Sequence, residues 1–194
     1  MKQSSDLIQI RVSGFGGQGV VMMGYVLGKA ASIFEGKSAT MSQSYGPESR
    51  GGASACDVVI SSAEIDYPKV TEPDVVVAMS QDAYLTYGVR RPTECILIME
   101  EELVELQEQD RSKEVYRIPA TRMAEGLGSK IVTNMVLLGF LCSTTQLVSE
   151  EALKRAIATT VPKGTEERNL KAFEAGFAYG KNMVSRLKQP AFSS

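Results

Sequence analysis

Leu7-Ile8-Gln9-Ile10-Arg11-Val12, then Ser13-Gly14-Phe15-Gly16-Gly17-Gln18-Gly19, then Val20-Val21-Met22-Met23-Gly24-Tyr25-Val26-Leu27, is the stretch from which the rest of the chain is read. Its first six residues are largely apolar on one face, which predicts a strand, and the glycines that follow predict a tight turn. Over residues 20–34 apolar side chains occupy nearly the whole circumference of a helix, so that helix should be buried, with Gly24 and Gly28 letting another element approach its backbone. Gly14 to Gly19 satisfy GxGxxG between strand and helix, where free backbone N–H groups and a helix N-terminus attract phosphate. The same glycines equally suit a turn that only permits close helix packing.

Beyond Gly36-Lys37 the pattern predicts a short strand over residues 39–43 and then a second glycine-rich loop, Tyr45-Gly46-Pro47-Glu48-Ser49-Arg50-Gly51-Gly52. Short β-branched runs at 55–60 and 74–78 read as strands, the second one buried on both faces, and 65–68 as a small edge strand. A short helix is expected over 81–87, a strand over 95–99, an exposed acidic helical stretch over 100–110 and a last strand over 115–118. After Pro119 the chain turns helical, at 120–125, 131–143, 150–159 and 166–187, with Thr165 as N-cap of the last. Leu170, Phe173, Phe177 and Val184 form one stripe of that helix, suited to core packing or to docking a partner subunit. Alternating strands and helices followed by helices alone predict an α/β fold: a three-layer α/β/α sandwich with a mainly parallel or mixed central sheet and a helical C-terminal part, forming a single domain over residues 1–194.

Composition narrows the function. The chain has no histidine, which removes the commonest general base, the commonest zinc ligand and every imidazole-based triad. Its 3 cysteines, Cys56, Cys95 and Cys142, are far apart, which fits buried free thiols rather than disulfides or a metal cluster. With 21 basic and 23 acidic side chains mixed along the sequence, there is no broad cationic field for nucleic acid. Apolar runs stop well short of the roughly 20 residues that span a membrane, and no signal-peptide core follows the start, so a cytoplasmic location is expected.

A dinucleotide-binding enzyme should add an acid about 20 residues past the glycines, at the end of the second strand. Here that strand ends in Gln43-Ser44, and Glu35 falls before it. An independent nucleotide-binding Rossmann-like oxidoreductase remains the alternative. The second loop offers Ser49 and Arg50 between Gly46, Gly51 and Gly52: a hydroxyl and a guanidinium whose planar fork suits phosphate. Two loops at the carboxyl ends of strands make a cleft that could grip one polyphosphate ligand.

The two motifs together, Gly14 to Gly19 and Gln43-Ser44-Tyr45-Gly46-Pro47-Glu48-Ser49-Arg50-Gly51-Gly52, resemble the gamma subunit of 2-oxoacid:ferredoxin oxidoreductases. The likeness continues through Ile65-Asp66-Tyr67-Pro68, Asn134-Met135 with Gly139, and Asn169, Ala172, Phe173 and Gly176. This resemblance implies an accessory subunit of an enzyme that decarboxylates a 2-oxoacid oxidatively to an acyl-CoA, the loop lettering being nearest the forms that convert 2-oxoglutarate to succinyl-CoA. It implies coenzyme A binding, carried over to Gly14, Gly16, Gly17, Gln18 and Gly19 and to Ser49, Arg50 and Gly51. Thiamine diphosphate with its magnesium, and the iron–sulfur clusters, would belong to partner alpha, beta and in some members delta subunits, with ferredoxin as the electron acceptor of the complex. No catalytic residue or metal ligand is expected in this chain, which should be inactive alone.

Overall fold

The computed structural model of the chain describes residues 7–45, 53–111 and 113–187. Through its middle runs a six-stranded sheet in the order β2-β3-β1-β4-β5-β6. The strands are β1 (Ile8–Gly14), β2 (Ser38–Tyr45), β3 (Ser54–Ser61), β4 (Val75–Ala78), β5 (Ile96–Glu100) and β6 (Val115–Ile118). β1, β4, β5 and β6 are parallel, whereas β3 runs antiparallel to both of its neighbours, β1 and β2, so the sheet is mixed. β4 shows why its centre is parallel. All of Val75-Val76-Val77-Ala78 is buried, Val75 and Val77 joining one core and Val76 and Ala78 a second, as a strand covered on both faces requires.

The larger core lies under α1 (Val20–Lys29), α3 (Ala120–Gly126), α4 (Thr133–Thr145), α5 (Glu150–Ala158) and α6 (Glu166–Leu187). The smaller one is closed by the π-helical turn Tyr84–Gly88, which continues α2 (Gln81–Ala83), and by Val104. The three layers expected from the sequence are therefore present, with most of the helical mass on one side. α4 is buried at every residue from 134 to 143. α6 lies against it so closely that a Cβ on Gly139 would overlap the Phe173 carbonyl oxygen and one on Gly176 the Val136 carbonyl oxygen. Only glycine permits that approach. Phe173 is fully buried, its ring stacks with that of Phe177, and Leu170 and Phe177 pack against the same core, so this part of the α6 stripe serves the core.

Four sequence expectations change. The first helix is α-helical only to Lys29 and widens into a π-helical turn over Ala30–Phe34. Residues 65–68 form no strand: β3 already has β1 and β2 on its two sides, and Pro68 brings no N–H donor. The acidic stretch 100–110 is not a helix but an extended strap. Glu100 ends β5, Glu105 N–H donates to Gln81 Oε1 at 2.7 Å, Gln107 N–H donates to Tyr84 Oη at 3.0 Å, and only Glu108–Asp110 turn, as a 3-10 helix. Thr165 precedes α6, but its hydroxyl donates to the Pro162 carbonyl at 2.7 Å and accepts from Asn169 Nδ2 at 3.1 Å instead of capping a backbone N–H.

The strap is fastened by a buried ion cluster. Asp110 accepts from Tyr84 Oη at 2.6 Å, Arg91 Nη1 at 2.9 Å and Lys113 Nζ at 2.9 Å. Burial alone would raise the Asp110 carboxyl, but the Tyr84 and Lys113 hydrogen bonds and the Arg91 charge hold it below its ordinary range. The three cysteines are buried and free, and burial pushes their thiols up, to about 12 for Cys56 and Cys142 and about 11 for Cys95. Among the described residues no helix is long and apolar enough to cross a membrane.

Candidate functional site: the glycine turn at the carboxyl edge of the sheet

The turn after β1 is held from within. Gln18 N–H donates to the Phe15 carbonyl at 3.2 Å, Phe15 N–H donates to Gln18 Oε1 at 2.7 Å, and Gln18 Nε2 donates to the Met79 carbonyl at 3.0 Å, just past β4. Gly17 and Gly19 adopt left-handed backbone, with φ of 91° and 77°, a region that L side chains enter only at a cost of about 1–2 kcal/mol. Gly19 is the N-cap of α1. Among the described residues no heavy atom lies within 4 Å of where a Cβ on Gly16 or Gly17 would stand. No acceptor among them meets the N–H groups of Gly16, Gly17 or Gly19. Unpaired amides on open backbone beside a helix N-terminus are the arrangement that receives an anion.

Sheet register fixes what stands next to this turn. Gly14 pairs with Ser54 in the β1–β3 ladder, and Ser54 pairs with Tyr45 in the β2–β3 ladder. Ser54 Oγ also donates to the Gly14 carbonyl at 3.1 Å. The strand residues Tyr45 and Ser54, which flank the second glycine-rich segment, thus stand at the same sheet edge as the first. Ser49, Arg50 and Gly51 themselves lie outside the described residues.

On the other side of the turn a cavity of about 380 Å³ opens across the carboxyl ends of the parallel strands, lined by Gly17, Gln18, Leu103, Thr121, Ile131 and Thr133, with Lys130 at its margin. Ile131 is 85% exposed and Leu103 45%, so the wall is apolar and unfilled, with hydroxyls from Thr121 and Thr133. Lys130 Nζ is paired with Glu125 Oε1 at 2.6 Å. Glu100, fully buried at the end of β5, accepts from Glu102 N–H at 3.5 Å through Oε1. Burial pushes its carboxyl above the ordinary range.

Glycine spacing placed Gly14 through Gly19 between β1 and α1, where they stand, but gave no sign that Leu103, Thr121, Ile131 and Thr133 border the turn or of the contact from Asn134. Asn134 Nδ2 donates to the Gly19 carbonyl at 3.3 Å across 115 positions of sequence. The clue available was an exposed isoleucine just ahead of a helix otherwise apolar on every side.

The topology does not favour the Rossmann alternative. A dinucleotide site needs the second strand beside the first, so that an acid at its end reaches the ribose. Here β3 stands between β1 and β2, which puts the β2 end two strand spacings, about 10 Å, from the turn. Glu35, the nearby acid, is engaged elsewhere: its Oε1 accepts from Ser149 N–H at 2.6 Å and its Oε2 pairs with Lys37 at 2.8 Å.

Known proteins share this architecture throughout. The chain is 52% identical over 174 residues, 87% of its length and 92% of the relative's, to the 2-oxoglutarate synthase subunit KorC of Methanothermobacter thermautotrophicus. The gamma subunit of keto/oxoacid ferredoxin oxidoreductase from Geobacter sulfurreducens superposes with a TM-score of 0.80 at 36% identity, covering 89% of this chain and 98% of that one. The 2-oxoglutarate:ferredoxin oxidoreductase of Magnetococcus marinus, solved with 2-oxoglutarate, coenzyme A and succinyl-CoA bound, superposes at 0.81 with 25% identity over 92% of this chain but only 32% of its own. From β1 into α6, over residues 9–179, the sequence matches the pyruvate ferredoxin/flavodoxin oxidoreductase family, and the chain belongs to it.

Proposed function

We propose that this chain is the gamma subunit of a cytoplasmic 2-oxoglutarate:ferredoxin oxidoreductase, a single domain that helps to hold coenzyme A while partner subunits carry out the decarboxylation. The observation that carries this reading is the place of the glycine turn, with open amides at Gly16 and Gly17, beside the strand ends Tyr45 and Ser54 that bracket Ser49, Arg50 and Gly51 in sequence. Coenzyme A carries several phosphates on a long, partly apolar arm. Amides at a helix N-terminus and a guanidinium suit the phosphates, and the cavity beside Leu103 and Ile131 suits the arm.

This division of labour assigns the chain binding and orientation. Gly14 to Gly19 and Arg50 hold the phosphate end, so that the thiol reaches across to the acyl group on a partner. When bound there, thiamine diphosphate with magnesium supplies the carbanion chemistry, and iron–sulfur clusters pass the electrons to ferredoxin. Support for partner subunits comes from the Magnetococcus enzyme, in which this fold is about a third of a longer chain, and from the Methanothermobacter relative, which is itself named as a subunit.

The test is Arg50→Ala in the assembled enzyme. Removing one charged hydrogen bond to phosphate costs about 1.5–3 kcal/mol, so the KM for coenzyme A should rise roughly ten- to hundredfold with the KM for 2-oxoglutarate unmoved. An unchanged KM for coenzyme A would refute the site, and affinity purification that recovers no thiamine- and iron-containing partner would refute the subunit assignment.

A further inference from the structure

The four glycines of the turn do two different jobs. A Cβ on Gly14 would stand 2.5 Å from Gln18 Oε1, and one on Gly19 would overlap the Asn134 side-chain amide, whereas Gly16 and Gly17 face open space among the described residues. The outer glycines make room for two carboxamide side chains, and the inner two leave room for a ligand. We propose that Gln18 and Asn134 are positioning residues, clamping the two ends of the glycine turn so that the amides between them stay aimed at the phosphate of coenzyme A. This rests on the coenzyme A reading above.

Each clamp uses both ends of its amide. Gln18 Oε1 accepts from Phe15 N–H at 2.7 Å while Nε2 donates to the Met79 carbonyl at 3.0 Å, which ties the start of the turn to the end of β4. Asn134 Nδ2 donates to the Gly19 carbonyl at 3.3 Å while Oδ1 accepts from Met135 N–H at 3.0 Å, which ties the end of the turn to the first residues of α4. Asn134 is only 5% exposed, so its amide serves the fold from inside. A run with glycine at four of six positions has more backbone freedom to lose on ordering than any other. Preorganising it in advance of binding is what turns unpaired N–H groups into affinity. Gln18, which the glycine fingerprint places among the ligand contacts, therefore spends its amide on holding the turn, while the residue also borders the cavity.

The test compares Gln18→Ala, Asn134→Ala, Asn134→Asp and Arg50→Ala in the purified complex. The aspartate keeps the acceptor for Met135 N–H but, ionised, cannot donate to the Gly19 carbonyl. Each clamp variant should raise the KM for coenzyme A roughly two- to tenfold, the loss expected for one neutral hydrogen bond, while the KM for 2-oxoglutarate stays unmoved. Hydrogen exchange in the peptide spanning the turn should quicken in the clamp variants with the sheet peptides unchanged, a readout that survives where turnover is lost. If Arg50→Ala raises the KM and the clamp variants change neither KM nor exchange, the clamp is overturned and the coenzyme A reading stands. If the KM for coenzyme A is unchanged in all four variants, both fall.

Discussion

Replacing Gly16 by alanine adds one methyl group where no described heavy atom lies within 4 Å and where the backbone is not left-handed. Folding should therefore not oppose it: a Gly→Ala change at a compatible position stabilises by about 0.4–1 kcal/mol through the unfolded chain, about 1–4 °C in Tm for a protein of this size. The proposed site predicts a loss of binding, because the methyl stands beside the amides assigned there to the phosphate. Losing one charge-assisted hydrogen bond costs about 1.5–3 kcal/mol, roughly ten- to hundredfold in the KM for coenzyme A. Gly17→Ala supplies the contrast. It meets equally open space but at a φ of 91°, so it should lose about 1–2 kcal/mol of stability as well as affinity. Steady-state kinetics at saturating 2-oxoglutarate, with thermal unfolding of the same preparations, read both quantities. A Gly16→Ala enzyme of normal stability whose KM for coenzyme A lies within twofold of the parent would show that the open space at Gly16 is not where the phosphate goes.

Three further outcomes are expected. Asp110→Ala strands the Arg91 guanidinium, whose side chain is 0% exposed and whose Nε and Nη2 already lack partners among the described residues; a loss of about 3–5 kcal/mol in urea unfolding follows, and a loss below about 1 kcal/mol would mean that water reaches Arg91. Gly139→Val drives a side chain into the Phe173 carbonyl and should cost about 3 kcal/mol or more, whereas stability within about 0.5 kcal/mol of the parent would show that α4 and α6 can part. Glu100→Gln tests a titration. Because burial raises the folded-state carboxyl above its ordinary 4.5, the parent keeps this proton longer when folded than when unfolded, so its contribution is fully present below that value and declines as pH rises. The glutamine variant should gain stability relative to the parent as pH climbs above 4.5 in denaturation series, and a flat difference would refute the buried carboxyl as its source.

Where local pattern and tertiary structure agreed, residue spacing sufficed. The strand, glycine turn and helix of residues 8–29, the strand Val115–Ile118 and the helix Glu166–Leu187 all follow from it. The strap at 100–110 was misread because five glutamates raise helix propensity, and propensity is a weak force beside tertiary contacts. Gln81, Tyr84 and Arg91 capture its backbone and Asp110 from elsewhere in the chain. A better sign was the alternation of buried Val104 and half-buried Leu106 around exposed Glu105, which marks extended chain. The direction of β3 was equally hidden, since a β-branched run carries no arrow. The cavity at Leu103, Thr121, Ile131 and Thr133 is assembled from three separate connections that meet only once the sheet has formed.

The reversed strand β3 has one more consequence. Its ladders hold eight residue pairs with β2 and seven with β1, so the two feet of the segment between them are set by the sheet and not by the segment's own letters. Doubling such a connection adds only about 0.6 kcal/mol of closure entropy. Insertions and exchanges between those feet can therefore accumulate cheaply over evolution while the frame beneath keeps its shape.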